Sequence, residues 1–188
     1  VSQDWSGDGS IDIYIAADAT FSGAWWNDDT PVNIYILEGA VLTYCEAGWD
    51  DKVKIKKATK VYCWGNITTP DNMGLRLYDA GLLHIYDAEG EPFYVKANNN
   101  TVNNNNAYSS FQVDPASDFY CEREMYVEGT ALLNGGKTHT TNKVTIGKDL
   151  YVEGAADVTF DDCVYVLREL DFKSSRSAVV NINKYLQT

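Results

Sequence analysis

The chain has 188 residues, 45% of them apolar and 13% aromatic, and carries a net charge of −12. That length suits a single domain, 1–188, with a sizeable core, and the acidity argues against nucleic acid and anionic membrane surfaces, which need Lys and Arg to displace counterions. No apolar run approaches the roughly 20 residues of a membrane-spanning helix, so no transmembrane segment is expected.

The chain opens on Asp4-Trp5-Ser6-Gly7-Asp8-Gly9-Ser10-Ile11-Asp12, which is similar to the beginning of an EF-hand-type calcium loop. Oxygens alternate along it and Gly9 stands at the sharp turn, so Asp4, Asp8 and Asp12 are the ligands calcium would use. The closing bidentate acid is replaced by Ile15. The expectation is therefore a polar lead-in turn over residues 1–12, with no cofactor required.

A short phrase then recurs. Ile13-Tyr14-Ile15 is repeated as Ile34-Tyr35-Ile36 and, more loosely, as Val61-Tyr62-Cys63. Met125-Tyr126-Val127-Glu128-Gly129 returns as Leu150-Tyr151-Val152-Glu153-Gly154, and the stretch from residue 13 to 21 aligns without a gap on residues 34 to 42. In a strand, alternate side chains point to opposite faces, so the aliphatic residues flanking each Tyr share the inner face. Tyr14, Tyr35, Tyr62, Tyr126, Tyr151 and Tyr165 form the outer set. Glycine follows several copies where the chain must bend. Such repeats predict an all-β, single-stranded, right-handed parallel β-helix of roughly six to eight irregular coils, since one coil cannot bury its apolar face alone. An antiparallel β-sandwich is the alternative, but two-residue hairpin signals such as Asn-Gly are scarce.

Between the first copies lies Gly23-Ala24-Trp25-Trp26-Asn27-Asp28-Asp29, read as a loop. Trp25 and Trp26 with the Asp28 carboxylate suit a sugar, whose ring stacks on aromatic faces while acids take its hydroxyls; capping of the core is the plainer role. Lys52 to Lys56 alternates lysine with Val53 and Ile55, a half-buried strand with a basic outer face. His84 sits between apolar residues and is read as an ordinary strand side chain. Residues 97–107 are an Asn-rich surface loop. Residues 111–124, containing Pro115, are read as an irregular connection before the cleanest repeats begin. Lys184 is placed as a guard on the terminal edge.

The four cysteines, Cys45, Cys63, Cys121 and Cys163, lack metal-ligand spacing. Free core thiols are expected, with a Cys45–Cys63 bridge between neighbouring coils as the alternative in an oxidising compartment. The chain begins at Val1 without a basic-then-apolar leader, which reads as a mature protein or an excised domain.

Asp161-Asp162-Cys163-Val164 resembles the Asp-Asp segment of pectin-cleaving β-helix hydrolases, in which paired acids serve as general acid and base. The resemblance implies Asp161 and Asp162 as catalytic residues of a polysaccharide-active enzyme, although the other motifs of that family are missing. The repeat style over most of the chain resembles secreted β-solenoid surface proteins of bacteria, including adhesins and carbohydrate-associated β-helices. This implies an extracellular or cell-surface, non-enzymatic protein, with glycans or surface proteins as partners. Its ligand-binding residues would be Trp25, Trp26, Asp28, Tyr35, Tyr62, Tyr126 and Tyr151.

Overall fold

A computed structural model describes residues 9–21, 31–45, 52–56, 59–70, 73–88, 91–96, 109–172 and 177–188. Among these residues every regular element is a strand, and every paired strand runs parallel to its neighbours. The chain is a right-handed parallel β-helix, and the sandwich alternative is excluded because it requires antiparallel pairing.

The described strands form three walls, which successive windings visit in turn. The first wall is one eight-stranded sheet of β1 (Ile11–Ile15), β3 (Val32–Ile36), β6 (Thr59–Cys63), β9 (Leu82–Ile85), β12 (Asp118–Cys121), β15 (Lys137–Thr140), β18 (Asp157–Phe160) and β21 (Val179–Ile182). The second wall follows it in the chain as two sheets. One holds β2 (Ala19–Phe21), β4 (Val41–Tyr44) and β7 (Asn66–Thr68). The other holds β10 (Phe93–Val95), β13 (Met125–Val127), β16 (Val144–Ile146), β19 (Val164–Val166) and β22 (Leu186–Gln187). The third wall holds β5 (Lys52–Lys56), β8 (Gly74–Tyr78), β11 (Phe111–Val113), β14 (Ala131–Asn134), β17 (Asp149–Glu153) and β20 (Glu169–Phe172).

The apolar-Tyr-apolar phrase specifies this stacking directly. Ile13 pairs with Ile34 and Ile34 with Val61, while Ile15, Ile36 and Cys63 follow one another in the adjacent inner column. Ile34, Ile36, Val61 and Cys63 are all fully buried. Val53 and Ile55 are buried as well, as the lysine-alternating strand requires. No described helix is long and apolar enough to cross a membrane.

Three expectations are corrected. The gapless alignment holds on the first wall, but on the second Ala19 pairs with Leu42 and Phe21 with Tyr44, two residues out of step. Because a strand alternates faces every residue, a slip of two keeps each side chain on its proper side. Second, the outer tyrosines do not make one column. Tyr14, Tyr35 and Tyr62 stand on the first wall, Tyr94 and Tyr126 on the second, and Tyr151 on the third beside Leu132 and Asp171. The two near-identical pentapeptides at residues 125 and 150 therefore serve different walls: alternation alone encodes inside and outside, not which wall a strand joins. Third, residues 111–124 are not an irregular connection. They contain β11 and β12, and Pro115 occupies the corner between them, where Ala116 turns with φ 64°.

Glycine also acts in two ways. Gly39 and Gly154 turn with φ 77° and 60°, the left-handed region expected of a corner. Gly65 instead permits contact: a Cβ there would lie 2.2 Å from the Ala40 carbonyl oxygen on the preceding winding. The four cysteines are free thiols. Cys63 and Cys121 face the core, and burial pushes both thiols up to about 12.

Candidate functional site on the first wall

The outer side of the first wall carries a column of aromatic and imidazole rings on six successive strands, β1 to β15, with Thr159 and Asn181 at the same position on β18 and β21. Tyr14, Tyr35, Tyr62, His84, Tyr120 and His139 are successive register partners. Parallel pairing without slip places like positions one above another, so a ring at the second outer position of each strand becomes a ladder. The Tyr14 and Tyr35 ring centres are 4.8 Å apart and tilted 13° to each other; those of Tyr35 and Tyr62 are 5.2 Å apart and tilted 14°. Rings this close and this nearly parallel cannot lie side by side in one plane. Each covers part of the next ring's face, in the offset-stacked arrangement aromatics favour. The ladder consequently presents ring edges and hydroxyl groups outward, rather than a pavement of open faces.

Beyond Tyr62 the ladder becomes less regular and wider. His84 is tilted 40° against Tyr120, and Tyr120 meets His139 edge to face. A second short column forms beside it at the end of the strands. Trp64 stacks on Tyr86 at 4.3 Å and 2°, and Tyr86 stacks on His84 at 3.8 Å.

Carboxylates hold the imidazoles in place. His84 Nε2 lies 2.8 Å from Glu122 Oε1, and the Asp87 backbone amide donates to the other oxygen of Glu122 at 3.1 Å. Partial burial pushes the Glu122 carboxyl up, but the Asp87 amide and His84 outweigh it and leave the group below its ordinary value. His139 Nε2 lies 2.8 Å from Asp161 Oδ2. Under this corner is Arg123, only 5% exposed. Its guanidinium donates to the Trp64 carbonyl at 2.6 Å, the Tyr86 carbonyl at 2.7 Å and Asn66 Oδ1 at 3.1 Å. Asp87 directs its amide outward to Glu122, and Arg123 satisfies the corner carbonyls beneath.

The sites expected from sequence are distributed as follows. Tyr35 and Tyr62 lie together in the first-wall ladder. Tyr126 is on the second wall, stacked on Tyr94 at 5.2 Å, where both line a shallow depression of 540 Å³ with Glu91, Glu124, Lys143 and Thr145. Tyr151 is on the third wall, its hydroxyl 3.5 Å from buried Asp149, which Arg168 Nε also approaches at 2.6 Å. Trp25, Trp26 and Asp28 lie outside the described residues, as do Asp4, Asp8 and the Asn-rich loop. Asp12 falls inside β1 and not in the lead-in turn; its Oδ1 accepts from Asn33 Nδ2 at 2.7 Å. No cluster of His, Cys, Asp or Glu suited to a metal ion occurs among the described residues.

Asp161 and Asp162 are both engaged as anions. His139 and Asn183 outweigh partial burial to lower the Asp161 carboxyl, Asn183 Nδ2 donating at 2.8 Å. Lys184 Nζ, 2.8 Å away, and then the Cys163 amide bring Asp162 to about 2. A general acid needs the opposite shift, toward a retained proton. Lys184, read as an edge guard, is thus the ion-pair partner of Asp162.

The sequence reading passed over Trp64, His84, Tyr86, Tyr120 and His139 as site residues. A signal for His84 was present, since Leu83-His84-Ile85 has the same skeleton as Val61-Tyr62-Cys63. A signal for Tyr120 was present too, since Phe119-Tyr120-Cys121 repeats the apolar-Tyr-apolar phrase; for the others only the register and the ring contacts show the shared wall.

No protein-family model, curated protein or solved structure matches the chain.

Proposed function

We propose that the protein is a non-enzymatic, secreted or cell-surface β-helix that acts in adhesion or as a structural spacer and binds carbohydrate weakly through the first wall. One observation carries this reading: the in-register column Tyr14–Tyr35–Tyr62, extended by His84, Tyr120 and His139 and flanked by carboxylates and amides. Aromatic edges with hydroxyl, acid and amide groups along a straight rigid surface suit a hydroxyl-rich ligand. The extracellular location rests on the resemblance of the repeat style to secreted solenoids. Glycoside hydrolysis is disfavoured because both Asp161 and Asp162 are held ionised by cationic or amide partners.

Retention on insoluble polysaccharides at neutral pH tests the reading. The wild-type chain should be retained on at least one matrix, and Tyr35→Ala with Tyr62→Ala should weaken retention about tenfold while circular dichroism remains that of a β-helix. Passage of the wild type through every matrix, or unchanged retention of the double variant, overturns the proposal. Release of reducing ends that disappears in Asp162→Asn would replace it with an enzyme.

A further inference from the structure

We infer that the first-wall ladder takes a neutral, extended β-1,4-linked polysaccharide laid along the solenoid axis, one sugar per winding. This rests on the carbohydrate-binding reading above and specifies the class of glycan and its direction.

Three features of the ladder support it. The first is its period. Ring centres at 4.8 and 5.2 Å repeat the spacing of the windings, and this spacing is close to the rise per sugar of a fully extended β-1,4-linked chain. A ligand with that repeat stays in step over several windings; a coiled α-linked chain does not.

The second is the chemistry displayed. Since Tyr14, Tyr35 and Tyr62 cover one another's faces, their outward groups are phenol hydroxyls, each able both to donate and to accept. Equatorial hydroxyls project from the edges of an extended chain and meet such a row one by one. Tyr14 is 63% exposed, and Tyr35 and Tyr62 are half-buried, so the row is open to solvent. Asp12 and Asn33, hydrogen-bonded to each other, form a polar border two residues from the phenols on the first two windings.

The third is charge. The molecule carries −12, while the first outer positions beside Tyr14, Tyr35 and Tyr62 are Asp12, Asn33 and Lys60, which carry no net charge, and further along the wall Lys137 stands between Asp118 and Asp157. The net charge repels uronate or sulfated chains, and the balanced border beside the phenols favours a neutral polymer over a cationic one.

Calorimetric titration with cello-, manno- and chito-oligosaccharides of two to six units provides the test, with malto-oligosaccharides and oligogalacturonates as comparisons. At least one β-1,4-linked series should gain affinity about tenfold from two units to six, as successive windings are engaged, and both comparison series should bind more weakly. The triple variant Tyr14→Phe, Tyr35→Phe, Tyr62→Phe keeps the rings and removes only the hydroxyls. It should retain the wild-type thermal transition and lose at least about tenfold in affinity for the hexasaccharide. Glycan binding that is independent of length, that favours the α-linked or anionic series, or that survives unchanged in the triple variant overturns this inference and leaves the broader carbohydrate reading intact. Absence of binding to every soluble glycan and every insoluble matrix overturns both.

Discussion

At the scale of single residues, the interior is not wholly apolar. The hydroxyls of Thr59, Ser117 and Thr140 are buried and have no hydrogen-bond partner among the described residues. Thr140 stands in an inner column between Cys121 and Phe160 and is fully buried. An unpaired buried hydroxyl forfeits its hydration without a replacement bond. Thr140→Val, which keeps the branched shape, should therefore raise stability by about 1 kcal/mol, read as a higher midpoint in urea with an unchanged slope. Arg123 illustrates the opposite case. It is a buried charge whose described partners are two carbonyls and an amide oxygen, and it joins windings far apart in sequence through Trp64, Asn66 and Tyr86. Nothing in the local sequence distinguishes Arg123 from a surface arginine, because its partners come from other windings.

At the scale of the element, strands of two to five residues are too short to persist singly and are stabilised by stacking on their neighbours. Stacking requires corners that do not hold adjacent windings apart. Gly65 lies at such a corner, where an added Cβ would come within 2.2 Å of the Ala40 carbonyl oxygen and 2.4 Å of that of Leu37. Both obstacles are backbone and cannot rotate aside. Gly65→Ala should cost about 3 kcal/mol, whereas Gly9→Ala, with nothing within 4 Å of the new carbon, should leave the urea midpoint almost unchanged. The repeated Tyr-x-x-Gly spacing at Tyr62 and Gly65 was legible as a bend signal. The reason for glycine there was not, since it is a clash with the previous winding and not a backbone angle.

At the scale of the whole molecule, the carboxylates are arranged in pairs along the solenoid. Arg168 beside Asp149 lowers that carboxyl despite burial, His139 lowers Asp161, and Lys184 lowers Asp162 to about 2. A carboxyl whose folded value is depressed contributes stability above its unfolded value, near 4, and loses it as pH falls through the folded value. Thermal stability should therefore drop between about pH 4 and pH 2. Asp149→Asn should flatten part of that acid-side fall, because Asp149 is the most buried of the three. An equal acid-side fall in wild type and Asp149→Asn would show that this pair contributes nothing. Asp162 is half-buried, but its partner Lys184 is exposed to solvent, so the pair is screened and should affect the slope less than Asp149 does.

What the sequence determined by itself is the alternation. Ile13-Tyr14-Ile15, Ile34-Tyr35-Ile36 and Val61-Tyr62-Cys63 state which side chains point inward, and their recurrence states that the strands stack in parallel. The reason is local: side-chain direction in a strand follows from backbone geometry, and identical neighbours fit best in register. Tertiary structure decided which wall each phrase joins. That choice depends on the arc length of each corner, summed around every winding, and no single stretch contains it. It separated Tyr151 and Tyr126 from Tyr35, brought His84, Tyr120 and His139 into the ladder, and set Asp161 beside His139 and Asn183 and Asp162 beside Lys184.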